Sequence, residues 1–359
     1  MMPSDPEKTR LHVASALAEH TRAWDRLVEA MPIPSPFLRS WWVGAAATAT
    51  PCLLLVFRGG ELIGGLALES DRRLGVERLR PVGAGPLCPD HLDAVYAPGH
   101  ERAVAAALRR WLGTGDRLID LDGVATAPVV AAAMPGRLRT EHVASAPCME
   151  LRLDASEQGS ATLRRKTTRA ERRMRKEAGS CLMERVHDTE EALRQLYRLH
   201  AQRWEGSSGF LSGYQRFAAA CRAGVAAGEV VFNALHAGDD VVGVMASFEV
   251  AGRISYYQSG RDPDRRWRGS GTVLLARVID DAGRRGLREA DLLRGEESYK
   301  ADFATGHREL WRLRCATGPR SAVALTIDLG LEHGRRLLGR ARRRVRSALI
   351  PRSKTTSPR

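Results

Sequence analysis

A chain of 359 residues exceeds what one hydrophobic core usually serves, so two folded units are expected. With 43% apolar and 27% charged residues, its composition is that of an ordinary globular protein and excludes a disordered one. The net charge of +14 is unevenly held: residues 331–359 carry ten Lys or Arg against the single acidic Glu332, which leaves the rest of the chain only mildly basic.

The N-terminal residues contain no long apolar run ahead of a small-residue cleavage site, and no stretch approaches eighteen apolar residues, so a cytoplasmic location is expected. Six cysteines (Cys52, Cys88, Cys148, Cys181, Cys221, Cys315) stand at spacings that suit neither a zinc site nor a disulfide scaffold, so reduced, buried thiols and no metal are expected.

In chain order, helices over 18–31 and 37–47 precede CLLLVF, the Gly59-Gly60 turn and ELIGGLAL, which read as a hairpin. A further strand, the Gly/Pro-rich stretch 81–90, helix ERAVAAALRRWL, strand DRLIDLDG, a short Ala-rich helix and a strand over 146–153 close the first half. A linking helix (160–180) follows, with eight basic residues between Arg164 and Lys176 against one Glu; it reads as a solvated face or as a basic wall beside an anion.

The second half begins with strand 181–188, then helix 188–204, which Asp188 or Thr189 can cap and whose Leu193, Leu196 and Leu199 form an apolar stripe. Helix 214–228 and three strands follow, joined by the turns Gly238-Asp239-Asp240 and Ala251-Gly252 into an antiparallel meander. Next come the apolar helix 269–286, strand EADLLR, short helix SYKADFA and strand HRELWRLRCA. The first half repeats this order in weaker form, which predicts two copies of one α/β unit, each with a mixed sheet of the α+β kind. The expected bounds are 1–154 and 155–320, with a basic helical tail over 321–359. In that tail Leu338, Ala341, Val345 and Leu349 recur at helical spacing among arginines, as in helices that lie on anionic membranes.

The strongest local signal is Arg266-Trp267-Arg268-Gly269-Ser270-Gly271-Thr272, directly before the long apolar helix. The glycines let backbone N–H groups turn inward and the helix N-terminus adds the positive end of its dipole, so a pyrophosphate is the expected guest. Arg266 and Arg268 would add charge-assisted bonds. The first half has His100-Glu101-Arg102 at the corresponding place and is expected not to bind such a ligand.

The R-x-x-G-x-G pattern at this junction resembles the pyrophosphate loop of GNAT acyltransferases. LHAQRW (199–204), YYQSGRDPDRRWRGSGTVLL (256–275) and LLRGEESYKADFA (292–304) resemble the acetyltransferase domain of CelD-like cellulose-biosynthesis proteins. The resemblance implies two tandem GNAT-like (acyl-CoA N-acyltransferase) domains, the first degenerate, and an acyltransferase with acetyl-CoA or another acyl-CoA as donor. The acceptor would be an amine or hydroxyl of a polar small molecule, cell-envelope or polysaccharide related.

Such a reaction needs a base for the acceptor and an acid for the leaving thiolate. Glu296 and Glu297, after a central strand, are candidates for the base, and equally read as helix N-terminal acids. Tyr299 is the candidate acid, and Lys300 a candidate ligand for an acidic group. His200, Arg203 and Trp204 share a helix face and, with Tyr256 and Gln258, are candidate acceptor contacts; alternation would send Tyr256 and Gln258 to one face and Tyr257 to the other.

The family is also similar to Fem-type ligases, which use aminoacyl-tRNA and whose aromatic-Lys pattern Tyr299, Lys300 and Phe303 resemble. A tRNA-dependent ligase is therefore one alternative. A non-catalytic scaffold docked on an envelope synthase through residues 331–359, at the inner membrane face, is another.

Overall fold

The structure is a computed structural model; it describes residues 9–152, 158–204, 208–295 and 298–348, without the side chains of Ser298, Arg336 and 339–348. The first half comprises β1 (Thr9–Ala14), α1 (Thr21–Glu29), α2 (Ser40–Ala45), β2 (Thr50–Arg58), β3 (Glu61–Arg73), β4 (Val76–Pro81), β5 (Val95–Tyr96), α3 (Glu101–Leu112), β6 (Arg117–Val124), α4 (Val129–Ala132) and β7 (Arg139–Glu150). α5 (Ala161–Ala178) leads into β8 (Leu182–Val186), α6 (Thr189–Trp204), α7 (Tyr214–Ala226), β9 (Val230–Ala237), β10 (Asp240–Val250), β11 (Arg253–Arg261), α8 (Ser270–Arg284), β12 (Glu289–Asp291), β13 (Gly306–Ala316) and α9 (Pro319–Ala348).

The local signals explain most of these elements. Asp188 caps α6 by accepting the N–H groups of Glu190 and Glu191 at 2.9 and 3.0 Å, and Ser160 caps α5 through the N–H of Leu163. Gly59 and Gly60 take positive φ in the β2–β3 turn, as Ala251 and Gly252 do between β10 and β11. β1 was not expected from the sequence, because its half-buried, irregular pattern carries no clear alternation.

The strands of both halves form one continuous sheet in the order β1-β2-β3-β4-β6-β13-β7-β12-β11-β10-β9-β8, with β5 added on β3. The halves mirror each other along it. Each has a run of antiparallel strands ending in one short parallel pair, β4 with β6 and β11 with β12. The closing strands are exchanged: β13 pairs with β6 of the first half, and β7 with β12 of the second, and the two pair with each other. The hydrogen-bonded ladder therefore runs unbroken between the halves.

Side chains alternate to the two faces of the sheet. Leu53 and Leu55 of β2 join Val244, Ala246 and Phe248 of β10 in one core under α1, α2, α6 and α7, so this core belongs to both halves. On the other face Leu54 and Val56 pack under α3, and Val242 and Met245 under α8 and α5. An ion-paired arginine ties the halves across the shared core: Arg39 bonds Glu29 and Glu229, and Trp41 Nε1 donates to Glu229 at 2.7 Å. All six cysteines are free; Cys52, Cys181, Cys221 and Cys315 are buried, whereas Cys88, expected buried, is exposed on the Gly/Pro-rich loop.

Candidate functional site

The site begins where a pair of strands stops pairing. β11 and β12 run parallel through three registered pairs, Arg253 with Glu289, Ile254 with Ala290 and Ser255 with Asp291, and then part. From Tyr256 onward, no strand among the described residues neighbours that edge of β11. On its other edge β11 carries an irregularity opposite Ala246/Ser247, where Ala246 pairs with Gln258 but Ser247 pairs with Tyr256. The extra residue, Tyr257, breaks simple alternation. As a result Tyr256 shares the cleft with Ser259, and Gln258 is not among the residues that line it. Tyr257 turns into the shared core, where its hydroxyl donates to Leu87 O at 2.5 Å.

The opening is a cleft of ≈ 430 Å³ lined by Arg203, Tyr256, Ser259, Arg261, Arg268, Gly269, Gly271, Thr272 and Tyr299. Its floor is the N-terminus of α8. Gly269 caps that helix at φ 91°, where an L side chain would be strained and a Cβ would lie 3.2 Å from Ala170 of α5. A Cβ on Gly271 would meet only Arg261 Cδ, at 3.5 Å, so this glycine leaves the first-turn backbone open to the cleft. α5 braces the cradle from behind, with Arg173 donating to the carbonyl of Arg268.

The described lining holds three arginines and no carboxylate. Burial and the like charge of Arg203 lower the pKa of Arg261, against the opposing pull of Asp262. Arginine still stays charged, so the cleft concentrates positive charge beside a helix N-terminus and suits a multiply charged anion. Beside it runs a hydroxyl chain: Tyr299 O–H donates to Tyr256 Oη at 3.1 Å, and Tyr256 Oη lies 2.6 Å from Ser259 Oγ.

His200 sits one layer behind. It is buried, with Nδ1 3.3 Å from Ser259 O and Nε2 2.9 Å from Ser208 Oγ. Because a carbonyl can only accept, Nδ1 carries the proton and Nε2 accepts from the serine. Burial lowers its pKa, and nearby Arg203 adds to this against the bond to Ser259, so the ring is neutral at neutral pH. It therefore holds β11 from behind and is not among the residues that line the cleft, where a contact with the acceptor was expected.

Four further expectations change. Arg266 is exposed, bonded to Asp264 at 3.0 Å and stacked 5.1 Å over Trp267, so the first arginine of the motif faces away from the cleft. Ser270 is fully buried and can offer only its backbone. Trp204 is exposed and carries the guanidinium of Arg203 over its ring at 4.9 Å, outside the lining. Lys300 is buried: its ammonium donates to Arg294 O at 2.9 Å and reaches Leu293 O at 3.4 Å, so it buttresses the turn after β12. Glu296 and Glu297 lie outside the described residues.

Sequence reasoning missed Arg261 and Ser259, although both fall inside the segment 256–275 that carried the resemblance. Their position depends on the β11 irregularity, which leaves no mark in the residue pattern. Among the described residues, no cluster of three or more His, Cys, Asp or Glu is placed to hold a metal ion, and no helix is long and apolar enough to cross a membrane.

Residues 161–301 match the family described as Acetyltransferase (GNAT) domain. No curated protein sequence matches the chain significantly. Among solved structures, the C-terminal domain of a proposed lysylphosphatidylglycerol synthetase from Agrobacterium fabrum is similar with a TM-score of 0.56 at 12% identity, covering 87% of this chain and 96% of that one. FemX gives 0.56 at 12% identity, covering 84% and 96%. A tandem GNAT protein from the clavulanic acid biosynthesis pathway gives 0.51 at 14% identity, covering 87% and 99%. At such identities the likeness is one of fold: a mixed α/β chain of two GNAT-like units, with the match to the acetyltransferase-domain family falling in the second.

Proposed function

We propose that the second unit is an acyl-CoA-dependent acyltransferase, with acetyl-CoA as the donor to test first. It would pass the acyl group to an amine or hydroxyl of a polar small molecule, of the cell-envelope or polysaccharide-related kind. The observation that carries this reading is the cationic cleft at the N-terminus of α8, open beside a splayed strand. The donor's pyrophosphate would meet the backbone N–H groups of the first turn of α8, with Arg268, Arg261 and Arg203 around it.

The thioester would then lie along the free edge of β11. The acceptor's lone pair forms the new bond to the carbonyl carbon, the tetrahedral adduct collapses, and the C–S bond breaks. Tyr299 gives its proton to the sulfur and is reprotonated through Tyr256 and Ser259 by the proton the acceptor sheds, so the proton moves from acceptor to thiol with no net change in the protein. Glu296 or Glu297 remains the proposed base for the acceptor's proton.

A second donor, aminoacyl-tRNA, is favoured by one observation. Arg164, Arg165, Arg169 and Arg172 of α5 line a surface groove of ≈ 600 Å³, and α5 itself braces the cradle. Binding of tRNA that weakens steeply with salt would support it.

A thermal-shift titration with acetyl-CoA tests the first reading, on the wild type and on Gly271→Glu. Saturation at a hundredfold excess over Kd should add about 2.7 kcal/mol of stability to the wild type. The variant should fold, since nothing crowds its Cβ, and should lose the shift because its carboxylate occupies the cradle. A folded wild type with no shift overturns the acyl-CoA reading, and a shift without transfer to any acceptor points to a non-catalytic scaffold.

A further inference from the structure

α9 begins at Pro319, two residues before the expected basic tail over 321–359, and its sides differ in a way the acyltransferase reading does not use. One face is docked. Ser321, Ala324 and Leu325 are buried, Asp328 bonds Arg73 at 2.6 Å, and Glu332 bonds Arg312 and Arg314 at 2.8 and 2.9 Å. At about 100° per residue these five fall within about one third of the helix circumference.

A flank roughly 110° round the helix from that face carries Val323 (60% exposed), Ile327 (44%), Leu331 (47%) and Leu338 (64%), with Leu337 (50%) further round. A stripe of large apolar side chains held in solvent along one helix face is what a soluble chain avoids unless something covers it. The same register continues in the sequence through Ala341 and Val345, giving a stripe about 33 Å long. On the register that docks the first turns, the later turns carry Arg335, Arg342, Arg343 and Arg346. With Arg336, Arg340 and Arg344 they make seven arginines, and no acid follows Glu332. In the sequence, the register that holds the sheet through acids thus carries arginines where the acids end, while the register of the stripe carries further apolar residues.

We propose that α9 docks the protein onto an anionic lipid surface, lying in the interface with the stripe inserted and the arginines among the headgroups. A second copy of the chain fits the stripe less well. Gly330 and Gly334 lie on it with open space where a Cβ would be, so it offers few knobs for a helix partner, and pairing would set the arginines of two copies side by side. A nucleic acid would use the arginines and leave the stripe in water. A bilayer satisfies both.

The test is flotation of the full chain with phosphatidylcholine vesicles, with and without phosphatidylglycerol, at low and high salt. The wild type should float with the anionic vesicles only, and less at high salt. Ile327→Glu with Leu338→Glu should abolish flotation. Arg342→Gln with Arg343→Gln should lower the partition coefficient roughly thirtyfold, at about 1 kcal/mol per charge. The substituted positions of the stripe are exposed, so an unchanged melting temperature verifies the fold independently of acetyl-CoA binding. Three results overturn the proposal: no flotation of the wild type, a stripe variant that floats as the wild type does, or a dimer by light scattering that the stripe variant converts to a monomer while vesicle binding persists.

Discussion

The two halves of the sheet contain the same opening and use it oppositely. β4 and β6 pair in parallel over Glu77–Arg117, Arg78–Leu118 and Leu79–Ile119 and then part, as β11 and β12 do three residues after their start. In the first half the chain leaving β4 folds back into the gap. Leu92 bridges to Val124, and Asp93 accepts the N–H groups of Ala94, Val129 and Val130 at 2.7–2.9 Å, leaving a void of only ≈ 20 Å³. In the second half the chain leaving β11 turns outward through Pro263 and returns as the cradle, leaving ≈ 430 Å³. A splayed pair therefore makes a potential site, and the segment that follows the inner strand decides whether it is filled.

The plug also supports the open cleft. Leu87 O receives the hydroxyl of Tyr257, Asp90 accepts the N–H of Arg294 at 2.8 Å as well as its guanidinium, and His91 Nε2 lies 2.8 Å from Asp291 at the end of β12. Asp291 is the sharpest place to break this joint. Burial alone would raise its pKa, but His91 and Arg253 bring it down to about 2. Asp291→Ala should cost about 3–5 kcal/mol in urea unfolding, because it strands buried charges. The depressed pKa gives the pH sign: the stabilisation is full above the unfolded value near 4 and is lost as pH falls toward 2. Wild-type stability should drop through that window, and the variant's should drop less.

Unplugging the first half is the next largest change. Leu92→Ala should destabilise by about 3 kcal/mol through loss of apolar contact and the cavity left behind. It should not create a second site of the kind proposed for the second unit, since the described residues lining that gap include no glycine and no arginine. Calorimetry showing one site before and after would sustain the contrast; a second site would mean that the plug alone keeps the first unit inactive.

Much of the architecture was legible in the sequence, because hairpins, caps and amphipathic helices are local signals. Gly59-Gly60, Asp188 and the apolar stripe of α8 each determine an element within a few residues. The exchange of β7 and β13 was not legible: both strands were expected, but which half each pairs with is set by contacts across more than a hundred residues. The cradle was legible for a similar local reason, since Gly269 and Gly271 directly precede their helix. The arginines were less so. A motif gives the order Arg266, Arg268, but only the fold shows that Arg266 turns to Asp264 and that Arg261, outside the motif, turns into the cleft. For His200 and Lys300 the sequence could not give the burial: a buried polar side chain that bonds the backbone of a site reads in one dimension like one that lines it.

Those distinctions set the remaining predictions. Under the proposed chemistry Tyr299→Phe should lower kcat about a hundredfold, the low end for a lost proton donor, while acetyl-CoA affinity stays within a few fold. An equal loss in both would instead make Tyr299 part of the donor's binding wall. The smallest and most discriminating effect concerns the arginines. Arg261→Gln removes a charge from the cleft wall and should raise the acetyl-CoA Kd about tenfold, and reduce its dependence on salt. Arg266→Gln removes a charge that sequence alone would rank higher, yet it faces solvent and should leave Kd within about twofold. If calorimetry finds the reverse order, the guanidinium of Arg266 swings from Asp264 into the cleft on binding, and the open unit closes over its donor in a way the plugged one cannot.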